Sequence, residues 1–288
     1  MSSDKIIKLL QVIRIACDKI EQELVGEKDT IKDILVEEVA SPKEEKFDSD
    51  IVLFNDKWPE AVPSFLISED EAGFRKRAKS ILDTTDLKSL TGYNFLDFGC
   101  GDGYVVKAAA ERGAKIAIGY DIEPKLKWKE LRDTKVKFLD SYEEILNSGL
   151  KFDIILLYDV LDHTEEQEDV ISKVKTLLHP QGTIYVRCHP YTSRHAAHIH
   201  KKLNKAFEQL FIEDLSEYDG LKLFKTTNPI ETYHTWFEGL KIVNERITRT
   251  AVHGFFHRPD IKAHLAKQGV DDETMQIEFV DYILRNES

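Results

Sequence analysis

"FLDFGCGDGYV", residues 95–105, places three glycines within five positions directly after a short apolar run. Gly99, Gly101 and Gly103 permit backbone conformations that other residues avoid, and they let a ligand approach the main chain without meeting a Cβ atom. In a doubly wound sheet, the turn between the first strand and its helix lies where ligands bind, outside the carboxyl ends of the strands. The stretch therefore predicts a fold and a binding loop together.

The spacing of the glycines differs from that of the two common phosphate-binding loops. A dinucleotide site has the pattern G-x-G-x-x-G, but here Tyr104 stands where the last glycine should be. A P-loop needs a lysine after its last glycine, and this stretch has none. Asp97 and Asp102 would repel a pyrophosphate, whereas they suit an amine or hydroxyl donors. We therefore expect a ligand with a positively charged end.

Compact apolar runs alternate with helical patterns on both sides of this loop. Strands are predicted at residues 93–98, 115–121, 136–139, 152–157 and 183–188, with two late strands at 241–250 and 275–285. Helices are predicted at 104–112, 124–133, 141–148, 165–178, 233–240 and 259–268, and a capping box from Ser68 to Glu71 opens another that ends near Leu82. Such alternation predicts an α/β fold with a doubly wound, mainly parallel seven-stranded sheet, in which the late strands form an antiparallel pair.

The composition is that of an ordinary globular protein, with 42% hydrophobic and 32% charged residues. The N-terminal residues alternate charge with apolar side chains, which predicts neither a signal peptide nor a membrane span and favours the cytoplasm. A formal net charge of −12 disfavours nucleic-acid binding unless positive residues are gathered locally.

The residues D-F-G-C-G-D-G at 97–103 resemble the first motif of the class I S-adenosylmethionine (SAM)-dependent methyltransferases, an acid followed by G-x-G-x-G. The next strand ends resemble the same superfamily, in order: "IAIGYDIEP" at 116–124, "VKFLDSYEEI" at 136–145, "FDIILLYDVLDHTEE" at 152–166 and "LLHPQGTIYV" at 177–186. The resemblance covers residues 93–188 and implies a Rossmann-like methyltransferase fold with SAM as the cofactor.

The resemblance also implies a cofactor site. It assigns Asp121 to the ribose hydroxyls with Ile122 next to it, Asp140 to the adenine amino group, and the backbone of Ser141 to the side of the ring. The full set of implied cofactor-binding residues is Asp97, Gly99, Gly101, Gly103, Asp121, Ile122, Asp140, Ser141 and Asp159.

Methyl transfer from a sulfonium needs alignment above all, and a general base only if the acceptor is protonated. The side chains that follow the fourth and fifth strands are the catalytic candidates: Asp159, His163, His189, Tyr191 and His195. His163 is open to a second interpretation, because residues 162–165 could simply cap the following helix. Neither an Asn/Asp-Pro-Pro motif nor a Pro-Cys motif occurs, which leaves ordinary oxygen or nitrogen acceptors.

Positive charge is concentrated after the fourth strand. Residues 170–207 contain seven Lys or Arg and no Asp or Glu. Arg187, Arg194 and Lys201 are therefore predicted to bind an acceptor that carries phosphate or carboxylate. The alternative is that the lysines of this window only decorate the outer faces of helices: Lys173, Lys175, Lys201, Lys202 and Lys205. His195, His198 and His200 lack an HExxH motif or a cysteine partner, so no metal site is expected.

Two domains are predicted. Residues 1–50 form a helical extension and linker, with helices at 6–24 and 30–39 that could also support a homo-oligomer, and residues 51–288 form the methyltransferase domain, with a substrate-covering insertion at about 189–230. The predicted function is SAM-dependent methylation of an oxygen or nitrogen on an anionic small molecule or peptide. Two alternatives stay open: an RNA or nucleotide methyltransferase that uses the basic segment 187–205, and a non-catalytic cofactor-binding or structural protein.

Overall fold

The computed structural model describes residues 57–64, 67, 70–212, 214–218 and 222–287. The predicted helices at 6–24 and 30–39 and the linker at 41–50 lie outside the described residues. Among the residues described, no helix is long and apolar enough to span a bilayer.

The described residues form a seven-stranded sheet with the order β3-β2-β1-β4-β5-β7-β6. The strands are β1 (Asn94–Phe98), β2 (Ile116–Tyr120), β3 (Val136–Leu139), β4 (Phe152–Tyr158), β5 (Leu178–Cys188), β6 (Leu240–Arg249) and β7 (Ile277–Asn286). Strand β7 runs antiparallel to both of its neighbours, whereas β1 to β5 are parallel. The predicted doubly wound fold is confirmed, and the strand order reverses between β1 and β4.

Helices cover both faces of this sheet. They are α1 (Glu71–Thr84), α2 (Tyr104–Glu111), α3 (Trp128–Leu131), α4 (Tyr142–Asn147), α5 (Gln167–Leu177), α6 (Pro229–Trp236), α7 (Pro259–Lys267) and α8 (Asp272–Gln276). Successive strand residues point to opposite faces. Phe95 accordingly packs with α1 and α2, while Leu96 packs with α5 and α6. The same alternation sends Asp97 to the face that α1 covers.

Three predicted helix boundaries are wrong, each for a local reason. The N-cap of α1 is Asp70, whose carboxylate accepts a hydrogen bond from Gly73 N at 2.6 Å, and the predicted cap Ser68 lies outside the described residues. Helix α3 starts later and ends earlier than predicted; it ends early because the Asp133 carboxylate accepts from the N–H groups of Lys135 and Val136 and turns the chain into β3. Helix α6 begins earlier than predicted, since Pro229 fits the first helical turn.

The described part of residues 189–228 contains no strand or α-helix, only short helical turns at Glu208–Leu210 and Ser216–Tyr218. It is held in place by residues 57–64. Trp58 Nε1 donates to Ala206 O at 2.8 Å, and the Asn204 side chain bonds both the N–H and the carbonyl of Val62. These bonds fix the segment that follows β5 beside the carboxyl ends of the strands.

Candidate functional site

A cavity of about 290 Å³ opens at the carboxyl ends of β1 and β4, where the strand order reverses. Helix α1, the glycine loop, the residues after β4 and one residue of the 189–228 segment all contribute to its walls. The lining residues are Phe74, Arg77, Ala78, Ile81, Asp97, Gly99, Cys100, Gly101, Asp102, Gly103, Tyr104, Val105, Tyr158, Asp159, His163 and His198. The cavity lies where ligands bind in doubly wound sheets.

The three glycines of the loop serve different purposes. All three have positive φ angles, +85° at Gly99, +49° at Gly101 and +86° at Gly103. A Cβ atom would lie 2.5 Å from the Val160 side chain at Gly99 and 2.3 Å from the Phe138 ring at Gly103, but would have no neighbour within 4 Å at Gly101. Packing therefore requires glycine at the outer two positions, while Gly101 leaves space for a ligand.

This difference predicts opposite results for two alanine substitutions. Gly103→Ala should lower the free energy of unfolding by roughly 2–4 kcal/mol, because left-handed backbone strain and overpacking add together. Gly101→Ala should cost only about 1–2 kcal/mol in stability, but its Cβ atom would enter the cavity and weaken SAM binding by about tenfold. Chemical denaturation and calorimetric titration check the pair. Equal stability losses in the two variants would contradict this assignment of the glycines.

Asp121, at the end of β2, fixes the conformation of the loop. Its Oδ2 accepts from Gly101 N at 2.9 Å, and its Oδ1 accepts from Glu123 N at 3.0 Å. Trp128 Nε1 donates to Gly101 O at 2.8 Å from the other side. The carboxylate is only half-buried, and each of its oxygens has a further lone pair for a ligand hydroxyl.

Asp97 is the buried acid of the cavity, with 3% of its surface exposed. Burial, together with the negative charge of Asp121, raises the pKa of Asp97 to about 7. A cation bound in the cavity would favour the charged carboxylate and lower that pKa again. The structure thus brings together an acid and a glycine cradle that suit a ligand with a positive end.

The other residues predicted to contact the nucleoside lie along the neighbouring strand ends. Ile122 directly follows Asp121 and is 77% exposed, an unusual position for a large apolar side chain. Asp140 is exposed at the end of β3, and Ser141 Oγ donates to Glu143 Oε2 at 2.9 Å. Asp121 N donates to Leu139 O at 3.2 Å, which ties the two strand ends together.

Two of the predicted catalytic residues, Asp159 and His163, line the cavity. Asp159 has a positive φ of 56°, and its Oδ2 lies 3.9 Å from Arg77 Nη2. Burial raises the pKa of Asp159, while it lowers the pKa of His163. His163 Nδ1 lies 3.1 Å from Lys222 O, so Nδ1 carries the proton and Nε2 has a lone pair.

The other three catalytic candidates are placed differently. His189 is buried behind the cavity, with Nδ1 at 2.8 Å from Glu278 O and Nε2 at 3.4 Å from Asp159 Oδ1. Burial lowers the pKa of His189 well below its ordinary value. His195 Nδ1 lies 2.7 Å from Glu278 Oε1. Tyr191 lines a different cavity, and its hydroxyl donates to Gln209 O at 2.7 Å.

The predicted anion-binding residues are not equivalent. Arg187 is buried; its Nε donates to Asp281 Oδ1 at 2.7 Å and its Nη1 to Tyr158 OH at 2.7 Å. This guanidinium already has a carboxylate partner, so Arg187 has a structural role and is not available to bind an anion. Arg194 Nη2 lies 3.7 Å from Glu278 Oε1, and Lys201 Nζ lies 4.9 Å from the centre of the Phe74 ring at the cavity.

Several cavity residues were not predicted from the sequence. Phe74, Arg77, Ala78 and Ile81 come from α1 and follow the three- and four-residue spacing of one helix face, a signal that the sequence contains. His198 also lines the cavity. No spacing signal links it to Asp159, which lies on a different element.

The chain matches the family described as "Methyltransferase domain" over residues 68–228. It is 27% identical over 107 residues to a ubiquinone biosynthesis O-methyltransferase from Cupriavidus pinatubonensis, covering 35% of this chain and 43% of that protein. It is 33% identical over 90 residues to a ribosomal protein L11 methyltransferase from Histophilus somni, covering 31% of this chain and 27% of that protein. The matched part thus spans less than half the length of these curated relatives.

Among solved structures, a SAM-dependent methyltransferase from Mesorhizobium loti has a TM-score of 0.48 and 17% identity, covering 73% of this chain and 98% of that one. The magnesium protoporphyrin IX methyltransferase of Synechocystis PCC 6803 has a TM-score of 0.46 and 14% identity, covering 77% of this chain and 89% of that one. Because the family match extends over more than half of the 288 residues, the chain belongs to the methyltransferase-domain family.

Proposed function

We propose that the protein transfers the methyl group of SAM to an oxygen or nitrogen atom of a small acceptor that enters beside Tyr158 and Asp159. One observation carries the proposal: a single cavity is lined both by the glycine loop and by the side chains that follow β4. A cofactor on the loop and an acceptor beside β4 would therefore meet in one cavity. Such proximity supplies much of the rate of an in-line displacement.

The residues of the cavity fit this cofactor. The open space at Gly101 admits a ligand against the main chain, and the buried acid Asp97 suits a cationic group. In the proposed arrangement Asp121 accepts from the ribose hydroxyls, Ile122 covers the adenine ring, and Asp140 and the backbone of Ser141 lie at the far edge of the base. When bound, SAM supplies a methyl group on a sulfonium leaving group.

Asp159 and His163 are the proposed catalytic residues. A neutral imidazole whose Nδ1 is held by a carbonyl presents the Nε2 lone pair, which can accept a proton from an acceptor hydroxyl or amine. His189 and His195 lie behind them as positioning residues in contact with Asp159 and Glu278. We leave Tyr191 out of this set, because its hydroxyl bonds Gln209 in another region.

A small, anionic acceptor is the proposed substrate. Two cations border the cavity, Arg77 in its lining and Lys201 above Phe74. Three positive residues of the 170–207 window already have partners: Lys173 pairs with Asp169, Lys175 donates to Glu238 O, and Arg187 pairs with Asp281. Charges that are paired in this way are less available to the phosphates of a long RNA, so we propose only the small acceptor.

Methyl-labelled SAM, incubated with the protein and a cell extract separated into metabolites, peptides and RNA, tests the proposal. Label should appear in the low-mass fraction, in material that an anion exchanger retains and nuclease leaves intact. His163→Gln should lower the rate of labelling on the order of 100-fold while SAM affinity stays within about twofold, as expected for loss of a general base. Label found only in RNA, or in no fraction, would contradict the proposal.

A further inference from the structure

Five side chains from three separate stretches converge at the inner wall of the cavity: Asp159, Asp162, His163, His189 and His198. They form two overlapping groups, one of Asp159, His189 and His198 and one of Asp162, His163 and His198. Within each group the potential ligand atoms all lie within 4.8 Å of one another. His198 belongs to both groups.

Backbone carbonyls determine the tautomers of two of these histidines. A carbonyl only accepts, so Nδ1 of His189, 2.8 Å from Glu278 O, and Nδ1 of His163, 3.1 Å from Lys222 O, both carry hydrogen. Their Nε2 atoms therefore present lone pairs. Metal-bound histidines commonly show this arrangement, in which the second ring nitrogen donates to a carbonyl or carboxylate.

These lone pairs face other acceptors: His189 Nε2 lies 3.4 Å from Asp159 Oδ1, and His163 Nε2 lies 3.6 Å from Asp162 Oδ2. His198 Nε2 also lies 3.9 Å from Asp162 Oδ2. Asp159 Oδ1, Asp162 Oδ1 and His198 Nε2 are buried and have no hydrogen-bond partner among the residues that the structure describes. Buried acceptors without a donor are costly, and a cation placed among them would satisfy several at once.

We propose that Asp159, His189 and His198 bind one divalent first-row transition-metal ion at the wall of the methyl-transfer cavity. Each group contains two of the unpartnered buried atoms, but in the other group the carboxylate already accepts a hydrogen bond, from His189 N to Asp162 Oδ2 at 3.3 Å. Asp159 and His198 also line the cavity, so an ion there would face the acceptor. Two imidazoles and one carboxylate suit Zn²⁺, Mn²⁺, Fe²⁺ or Co²⁺ rather than the all-oxygen sites of Ca²⁺ and Mg²⁺.

The chemical role of the ion rests on the proposed function. With three protein ligands, the ion keeps open positions for an oxygen of the acceptor, and its charge lowers the pKa of a bound hydroxyl. The hydroxyl proton passes to Nε2 of His163. The oxygen lone pair then forms the C–O bond while the C–S bond breaks and its electron pair stays on sulfur, leaving a neutral thioether. The acceptor class is accordingly a hydroxyl compound.

Metal binding can be measured without any methyl acceptor. Tag-free protein is stripped with a chelator and titrated with Co²⁺, followed by visible d–d absorption, and with Zn²⁺ and Mg²⁺ by calorimetry. We expect one equivalent of Co²⁺ or Zn²⁺ to bind and Mg²⁺ to bind at least about 100-fold more weakly. His198→Gln and Asp159→Asn should each weaken Co²⁺ binding at least about 100-fold, since loss of an outer partner alone costs about 10–100-fold.

His200→Gln is the matched control, because His200 is a half-buried histidine of the same segment outside both groups. It should bind Co²⁺ within about twofold of wild type, and unfolding curves establish that each variant folds. Absence of stoichiometric Co²⁺ and Zn²⁺ binding by the wild type, or equal affinity in His198→Gln and His200→Gln, would overturn the proposal. The proposal would also be overturned if Asp162→Asn abolished Co²⁺ binding while Asp159→Asn left it unchanged.

A titration of the same wild-type sample with S-adenosylhomocysteine, the demethylated cofactor, separates this proposal from the proposed function. If the protein binds S-adenosylhomocysteine but no metal ion, the metal-site proposal is contradicted and the methyl-transfer proposal still holds. If it binds a metal ion but no S-adenosylhomocysteine, the methyl-transfer proposal is contradicted.

Discussion

Asp121→Ala is expected to weaken the binding of S-adenosylhomocysteine by about 100-fold. The carboxylate orders the glycine loop through Gly101 N and the next turn through Glu123 N, and in the proposed arrangement it also accepts from the ribose hydroxyls. A hydrogen bond to a charged group contributes about 1.5–3 kcal/mol, and a loss of about 2.7 kcal/mol corresponds to two orders of magnitude in Kd. Calorimetric titration measures the change.

Glu123→Ala is the matched control for this prediction. Glu123 is an exposed acid two positions along the chain, its side chain pairs with Lys125, and its backbone N–H still reaches Asp121 after the substitution. Its affinity should stay within about twofold of wild type. A folded Asp121→Ala variant that binds as well as Glu123→Ala would show that the ribose does not lie at Asp121.

Asp281→Ala is expected to lower the free energy of unfolding by about 3–5 kcal/mol, since removal of one partner leaves a buried charge uncompensated. The residue that loses its partner is Arg187, with 7% of its surface exposed and its Nε 2.7 Å from Asp281 Oδ1. Chemical denaturation measures the loss.

Arg246→Ala provides the comparison, because Arg246 pairs with the other oxygen of the same carboxylate but is 53% exposed. An exposed ion pair contributes about 0–1 kcal/mol, so this loss should be several times smaller. Equal losses of unfolding free energy in the two variants would mean that Asp281 does not neutralise Arg187. Arg187 would then be available to bind an anionic acceptor.

The ion pair between Arg187 and Asp281 could not be predicted from residue type and position alone. The place of Arg187 at the carboxyl end of β5 suggested an anion site, but its partner Asp281 lies 94 positions away on β7, which is the antiparallel neighbour of β5. The prediction of an antiparallel β7 was correct, yet the register that sets these two side chains side by side follows from packing and not from spacing. Arg187 instead holds the hydroxyl of Tyr158, a residue of the cavity wall.

The elements around the glycine loop were predictable for a physical reason. A buried parallel strand needs an uninterrupted apolar run, and the residue that follows it must lie at the carboxyl edge of the sheet. Asp97 and Asp121 are therefore recognisable from local sequence, and the bond between Gly101 N and Asp121 Oδ2 joins two such positions.

The histidine cluster was not predictable in the same way. His163 follows β4, whereas His189 and His198 both follow β5, and their spacing matches no short metal-binding motif. They meet because β4 and β5 are neighbours and because the segment after β5 folds back over the cavity, held by its bonds to residues 57–64. The expectation of no metal site relied on local spacing, and the geometry supports the opposite proposal.

A crystal structure of the protein with S-adenosylhomocysteine would show directly where the nucleoside binds. We expect it along the glycine loop, with its ribose at Asp121, its adenine against Ile122, and its sulfur facing Asp159 and His163. A nucleoside bound elsewhere, or with its sulfur turned away from the residues after β4, would contradict this expectation.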